Sequence, residues 1–230
     1  MLDKQTMRSI CILIVPIVVL VVMAQVIDNR LFSRIATTLL INLILVLGLQ
    51  IFTGNSGILS FAHIGFMGVG AYTTAVLTMP VRMKSMALPD LYLVLKSVEI
   101  DPLLGILAGG AAAALVASII SYPLMRLSDA AAVITSFAVL VIMHTVMVHW
   151  SAVTNGPRTL FGVVNATDLK TSAAAAIIAV VMALWFKESR TGILLRATRD
   201  DEVASGAIGA DITVLRWRAF TLSALYAGIG

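Results

Sequence analysis

The chain alternates long apolar runs with short polar segments. The apolar runs cover residues 10–27, 35–52, 58–79, 103–125, 130–150 and 171–186, and a further run begins near Trp217. A helix needs about 20 apolar residues to cross the hydrocarbon core of a bilayer, and most of these runs approach that length. The pattern therefore predicts an all-α polytopic membrane protein with six helical spans and the start of another, folded as one transmembrane domain over residues 1–230.

One uncharged stretch is too long to be a single span. Residues 35–81 contain no Asp, Glu, Lys or Arg over 47 positions. A continuous helix of that length would measure roughly 70 Å, against a hydrocarbon core of about 30 Å. The sequence Thr-Gly-Asn-Ser-Gly at positions 53–57 is rich in turn-forming residues. It predicts a broken helix near Gly54–Gly57, with helices over residues 35–52 and 58–79 on either side.

The helix over residues 58–79 combines small and polar positions. Small residues recur at every third position from 62 to 71, which allows close helix packing. Polar side chains within a span need protein partners or water. The segment is interpreted either as a tightly packed internal helix or as a helix that lines a translocation path, and the two are compatible. The candidate path residues are Asn55, Ser56, Ser60, His63 and Tyr72.

The polar segment from Lys187 to Arg218 sets the expected orientation. It carries six of the sixteen Lys and Arg residues, and short basic loops stay on the cytoplasmic side. Counting spans back from it places the N-terminus in the cytoplasm and the loops at Asp28–Arg34, at residues 80–102 and at residues 151–170 outside. The opposed charges of residues 80–102 cancel, which suits an external loop that carries a short surface helix.

Composition and spacing exclude several function classes. Hydrophobic residues make up 60% of the chain and charged residues 12%, about half the charged share of a soluble protein. The basic residues lie between spans, which argues against a nucleic-acid partner and for membrane lipid as the surroundings. A lone Cys11 excludes an internal disulfide, and no phosphate-loop motif occurs.

Catalytic, metal and cofactor sites are not expected either. His144 and His149 are five residues apart, which places them about 140° apart around a helix and prevents joint chelation. A lone His63 is too little for a metal site. No predicted span has a charge at mid-depth, as ion-driven carriers usually do, so the energy for transport would come from another subunit.

Two segments resemble the permease subunits of ABC importers for branched-chain amino acids. Residues 57–72, GILSFAHIGFMGVGAY, are similar to the glycine-rich signature of that family, and residues 192–209, GILLRATRDDEVASGAIG, are similar to its cytoplasmic coupling segment. The turns at residues 124–129 and 154–157 are weaker matches. Because the family's proteins continue with further spans, the resemblance implies a chain that is incomplete at its C-terminus.

The resemblance implies a multi-subunit importer in the inner (plasma) membrane. Two cytoplasmic ATPase subunits would bind the Lys187–Arg218 loop and hydrolyse ATP, a second permease subunit would complete the path, and an external binding protein would deliver the substrate. Related permeases carry urea or sugars, so a urea or sugar importer stays open, as do a passive channel for a small neutral solute and a scaffold subunit. The implied coupling residues are Arg196, Arg199, Asp200, Asp201, Glu202, Gly206 and Gly209.

The coupling segment also has a helical pattern of its own. Its acids at positions 200–202 precede residues 203–208 and would stabilise a helix N-terminus there. Gly209 suits a left-handed helix stop, and Asp211 can cap the helix that follows. A solvated loop helix without a partner is the alternative interpretation.

Overall fold

The structure is a computed structural model that describes residues 4–27, 29–127, 129–164 and 167–230. These ranges contain helices and no strand, so the predicted all-α class is confirmed for the part of the chain described. In chain order the helices are α1 (Lys4–Ile27), α2 (Arg30–Leu49), α3 (His63–Thr78), α4 (Val81–Ala87), α5 (Leu93–Lys96), α6 (Pro102–Leu124), α7 (Asp129–His149), α8 (Ser151–Thr154), α9 (Leu169–Glu188), α10 (Arg190–Asp200), α11 (Glu202–Ala207) and α12 (Ile212–Ile229). A π-helical turn, Gln50–Gly54, extends α2 and is called the π-turn below.

Five of the described helices are long and apolar enough to cross a membrane. They are α1, α2 with the π-turn, α6, α7 and α9. The predicted span over residues 58–79 is shorter than expected, because residues 58–62 are not helical and α3 has 16 residues. Of the predicted loop residues, Asp28 and Ser128 lie outside the described residues, as do Asn165 and Ala166.

Side chains at the helix starts explain several of the boundaries. Asn29 accepts a hydrogen bond from the Leu31 amide (2.9 Å) at the start of α2, and Asp101 accepts one from the Leu103 amide (2.9 Å) at the start of α6. Asp168 and Thr171 form a reciprocal capping box that begins α9. Each bond satisfies an amide that the helix itself leaves without a partner.

Helix α12 is the centre of the bundle. It packs against α6, α3 and α2, while α9 packs on α2 and α1 on the outside. Small residues make the close contacts: a Cβ at Gly228 would lie 2.5 Å from the Cβ of Ala113 and 3.0 Å from the Gly109 carbonyl oxygen. The Thr74 hydroxyl donates to the Gly105 carbonyl (3.1 Å) between α3 and α6. The Gly105 and Gly109 pair therefore packs within this chain, in the way that small residues bring membrane helices together.

The segment between α3 and α6 folds back on itself around a buried lysine. Lys84 is fully buried, and its ammonium group donates to the carbonyl oxygens of Leu95 (3.2 Å) and Val98. Burial lowers the pKa of Lys84, and the nearby Glu99 carboxylate partly opposes that shift. The sequence predicted an external loop with cancelling charges that carries a short surface helix. The structure instead has two short helices, α4 and α5, and one of the charges serves as the internal donor.

Candidate functional site

The π-turn leads into the helix break, which covers residues 57–62 before α3 begins. The predicted break at Gly54–Gly57 is present, but the helical chain continues past Phe52 through Ser56 before Gly57 adopts a φ of +79°. Two side chains explain this extension. Asn55 Nδ2 donates to the Ile51 carbonyl (2.9 Å), and Ser56 Oγ donates to the Phe52 carbonyl (2.8 Å). They bind carbonyls of the widened turn, which is why the chain stays helical until a glycine lets it change direction.

His63 lies beside the π-turn in a buried hydrogen-bond network. Its Nδ1 is 3.1 Å from Ser60 Oγ, and its Nε2 is 2.6 Å from Ser223 Oγ on α12. Ser223 Oγ is also 2.5 Å from the Gly48 carbonyl oxygen, which can only accept. The single hydroxyl proton of Ser223 therefore goes to Gly48, and we assign the His63 proton to Nε2, donating to Ser223. Ser60 then donates to Nδ1, and every polar atom in the network has a partner.

Three phenylalanines surround the imidazole. The ring centroids of Phe52, Phe66 and Phe220 lie 6.1, 6.4 and 5.0 Å from that of His63. Phe52 belongs to the π-turn, Phe66 to α3 and Phe220 to α12, so the cluster joins three elements at one point. His63 and these three rings are called the His63 box below. It is closed and leaves no solvent around the ring, since His63 is only 5% exposed.

The predicted path residues fall into two separate groups. Asn55, Ser56, Ser60 and His63 come together at the break and are all buried. Tyr72 lies farther along α3 and lines a different feature, an apolar cavity of about 420 Å³ between α3, α6, α7 and α8. The lining of that cavity is aliphatic apart from a few groups that include Tyr72 and Thr73. A space of this kind suits a small apolar group better than an ion.

The polar segment contains two helices joined at a sharp bend. Asp200 ends α10, and Asp201 accepts a hydrogen bond from the Ala204 amide (2.9 Å) as the cap of α11. The sequence predicts one helix after the three acids, and in the structure that helix is α11. Asp200 belongs instead to the preceding helix, α10. Gly209 has a φ of +85°, which confirms the predicted left-handed stop. Asp211 accepts from the Val214 amide (3.1 Å) and caps α12, as predicted.

Contacts of the basic residues tie this segment to the bundle. Buried Arg216 on α12 pairs with Glu202 Oε2 at 2.9 Å. Arg196 donates to the Lys187 carbonyl (2.8 Å), and Arg199 donates to the Gly54 carbonyl (3.1 Å) at the end of the π-turn. Toward solvent, α11 presents Val203, which is 84% exposed, and no atom from another part of the chain lies within 4 Å of a Cβ built on Gly206. One face of the α10–α11 segment is therefore bonded to the bundle, and the opposite face is exposed.

Comparison with known proteins places this geometry in a family. Residues 31–230 match the family model described as the permease component of the branched-chain amino acid transport system. The chain belongs to this permease family. The match covers the break, the His63 box and the α10–α11 segment, and it confirms the family that the sequence resembles.

Two curated relatives have the same description. The permease chain is 25% identical over 228 residues to the high-affinity branched-chain amino acid transport system permease protein LivM of Salmonella typhimurium, covering 84% of this chain and 50% of that protein. It is 26% identical over 261 residues to LivM of Escherichia coli, covering 99% of this chain and 57% of that protein. The chain thus spans about half the length of the curated relatives it matches. No solved structure matches it.

Sequence reasoning missed two members of the site. Ser223 and Phe220 lie in the apolar run after Arg218, where a single serine or phenylalanine gives no local signal. Ser223 is 160 residues from its partner His63. The spacing of small residues on α12 could have indicated a buried face, but not which helix would meet it.

Proposed function

We propose that this permease chain is the membrane-spanning subunit of an ATP-driven importer for branched-chain or other small amino acids. The observation that carries the proposal is the family match over residues 31–230. The LivM proteins of two bacteria, named for high-affinity branched-chain amino acid transport, support the substrate class. The chain would lie in the inner membrane with its N-terminus in the cytoplasm. Separate ATPase subunits would supply the energy, with a second permease subunit and an external binding protein completing the importer.

The α10–α11 segment is the proposed docking site for an ATPase subunit. Two features support this proposal: one face of the segment is exposed, and the opposite face is bonded to the bundle. Val203 and Ile208 are 84% and 74% exposed, and Gly206 leaves space for close approach. Behind them, the Arg216–Glu202 pair and the Arg199–Gly54 hydrogen bond join the segment to α12 and the π-turn. A push on α11 would therefore reach the membrane helices. Asp200, Asp201 and Glu202 would shape this docking site, and Gly209 would fix its end.

The His63 box is the proposed closure of the path on the cytoplasmic side. Phe52 and Phe220 fill the space between the break and α12, with ring centroids 5.0 Å apart. Asn55, Ser56 and Ser60 surround the same closure. The apolar cavity beside Tyr72, farther along α3, has the character required to receive an aliphatic side chain. Opening the box would extend a path from that cavity to the cytoplasm.

Reconstitution tests the proposal. The complete importer, with its ATPase subunits, second permease and binding protein, is placed in proteoliposomes, and uptake of labelled leucine is measured with ATP and with a non-hydrolysable analogue. We expect uptake only with ATP and with the binding protein present. Equal uptake without ATP would indicate a passive channel. Uptake of urea or a sugar, without leucine uptake, would contradict the substrate class.

A further inference from the structure

The π-turn is held at both ends by side chains from other helices. Near its start, Ser223 of α12 donates to the Gly48 carbonyl (2.5 Å). At its end, Arg199 of α10 donates to the Gly54 carbonyl (3.1 Å), a contact across 145 residues of sequence. Between these two anchors, Phe52 is fully buried and packs on His63 and Phe220. The turn therefore has one fixed end in the bundle core and one in the polar segment.

Arg199 contacts the break through both its aliphatic stem and its guanidinium group. Its aliphatic stem lies over Gly57, where an added Cβ would be 3.0 Å from Arg199 Cγ. Gly57 has a φ of +79°, a conformation that L side chains rarely adopt. A glycine at this position therefore permits the positive φ and leaves space for the arginine side chain. The guanidinium then reaches the carbonyl as a charged donor at a solvent-exposed position.

A π-helical turn is a suitable element to move. It holds one residue more than an α-helical turn, and such turns are frequent at functional sites. Conversion of the turn to α-helix would rotate the residues that follow it by about 100° relative to those before it. Phe52, inside the turn, would then leave its place against His63. Such a conversion requires a displacement of the Gly54 end, which Arg199 holds.

From this arrangement we infer that Arg199 is a positioning residue that transmits movement of the α10–α11 segment to the π-turn and so opens the His63 box. It does so by holding the Gly54 carbonyl, and it does not itself contact the transported molecule. The inference rests on the proposed importer function and adds to it the physical link between the ATPase docking site and the path. It also gives Arg199 and Arg196 different roles, although both were grouped as coupling residues from sequence.

Arg126, in the turn after α6, is the control for transport, and Arg196 is the matched control for hydrogen exchange. Arg196 lies on the same helix as Arg199 and also donates to a backbone carbonyl, that of Lys187 at the end of α9 (2.8 Å), so it does not touch the break. Arg199→Met keeps the stem over Gly57 and removes the donor, and Arg196→Met makes the same change one turn earlier. Gly57→Ala keeps both arginine residues, but its Cβ strains the backbone at a φ of +79° and displaces the Arg199 stem. Single variants and the Arg199→Met, Gly57→Ala double variant are prepared in the complete importer.

Two readouts are compared. The first is ATP-dependent leucine uptake together with ATP hydrolysis in proteoliposomes. We expect Arg199→Met and Gly57→Ala each to lower substrate-stimulated hydrolysis and uptake on the order of tenfold, within the usual range of coupling between sites. Arg126→Met removes an exposed donor to the Tyr122 hydroxyl (3.3 Å), outside the α10–α11 segment, and behaves as wild type. The double variant is no worse than Gly57→Ala alone, because the Arg199 contact is already lost there. Wild-type uptake by Arg199→Met, equal loss in Arg126→Met, or additive losses in the double variant would overturn the inference.

The second readout does not depend on transport. Hydrogen exchange at the Ser56 and Gly57 amides, measured on the purified complex, is expected to be faster by about tenfold in Arg199→Met than in wild type or Arg196→Met, the change that fits loss of one charged hydrogen bond. Unchanged exchange would contradict the inference. If Arg199→Met does not assemble, Gly57→Ala decides by the same criteria. A wild-type complex without ATP-dependent uptake would contradict the proposed function, while exchange would still test the contact.

Discussion

His63 shows how a polar side chain is accommodated inside this apolar bundle. Both of its ring nitrogens have a hydroxyl partner, Ser60 at one side and Ser223 at the other. A buried polar group without a partner costs about 1–3 kcal/mol. The two hydroxyl partners are therefore more important for the stability of buried His63 than the aromatic rings around it. The interpretation of helix 58–79 as a packed internal helix is supported by this arrangement. Its role in lining the path stays a prediction.

Loss of the Ser223 hydroxyl is expected to destabilise the bundle. Ser223→Ala removes the acceptor of the His63 Nε2–H group, which stays buried, and we expect a loss of about 1–3 kcal/mol. The measurement is the melting temperature of the detergent-purified protein. Ser118→Ala is the control, because the hydroxyl of half-buried Ser118 donates to the Leu115 carbonyl of its own helix (2.7 Å). A smaller loss in Ser223→Ala than in Ser118→Ala would show that the assigned network is wrong.

Residue types alone indicated some of this site but not its pairings. Gly209 and Asp211 act within a few residues of their own positions, so local rules predict their conformations, and the structure confirms both. The burial of Lys84 could not be predicted from sequence, because its carbonyl partners on Leu95 and Val98 come near it only after the chain folds back. The Arg199–Gly54 contact is of the same long-range kind. Local patterns predict caps and stops, whereas long-range hydrogen bonds depend on the assembled bundle.

At the scale of elements, the close approach of α3, α6 and α12 holds the bundle together. Gly70 on α3 and Gly228 on α12 face each other so closely that a Cβ on Gly70 would overlap the Gly228 backbone. Backbone atoms cannot move aside as a flexible side chain can. The sequence indicated the small-residue pattern of α3, but the central position of α12 follows only from the fold.

This contact predicts a severe effect of one methyl group. We expect Gly70→Ala to destabilise the protein by about 1–3 kcal/mol through overpacking, or to prevent folding. Gly206→Ala adds the same methyl group where no atom from another part of the chain lies within 4 Å, and it should change the melting temperature little. The comparison is made by thermal unfolding in detergent. Equal melting temperatures for the two variants would contradict the close packing of α3 on α12.

The bend after α11 predicts a loss of coupling without a loss of folding. Gly209 has a φ of +85° and an open surrounding, so Gly209→Val introduces backbone strain of roughly 1–3 kcal/mol and no clash. Gly206→Trp instead fills the space in front of α11. We expect both variants to keep expression and binding-protein docking but to lose substrate-stimulated ATP hydrolysis in proteoliposomes. Normal stimulation in both would favour the alternative of a solvated loop without a partner.

The whole molecule has a predicted direction in the membrane. The sequence places the α10–α11 segment in the cytoplasm and residues 151–170 outside, on the strength of one six-charge loop. Over the whole chain, the predicted orientation places nine Lys and Arg residues inside and seven outside, which is a small difference. The predicted orientation therefore depends on that loop. Most helices follow from the apolar pattern, since burial in lipid requires every span to be a helix, but α3 is shorter than its apolar run. The orientation of the helices in the membrane depends on these charges, and the packing contacts within the bundle do not indicate it.

Labelling with a membrane-impermeant thiol reagent tests the direction. In a Cys11→Ser background, a cysteine at the exposed Arg158 should react from outside in intact cells, and one at Val203 should react only after permeabilisation. Ser205 is unsuitable for the inner position, because it is 4% exposed and would be protected by burial in either orientation. Reaction of the Val203 cysteine in intact cells, with protection at Arg158, would reverse the orientation.

The central claim is that an ATPase subunit binds the α10–α11 segment of this permease. Photo-cross-linking in the complete importer tests it most directly, with a photoreactive residue at Val203 and, as the control, at Leu93 in α5. Both positions are 84% exposed, so accessibility within the chain is matched. The account predicts a cross-link from position 203 to an ATPase subunit and none from position 93. A cross-link to the ATPase from position 93, with none from position 203, would contradict it.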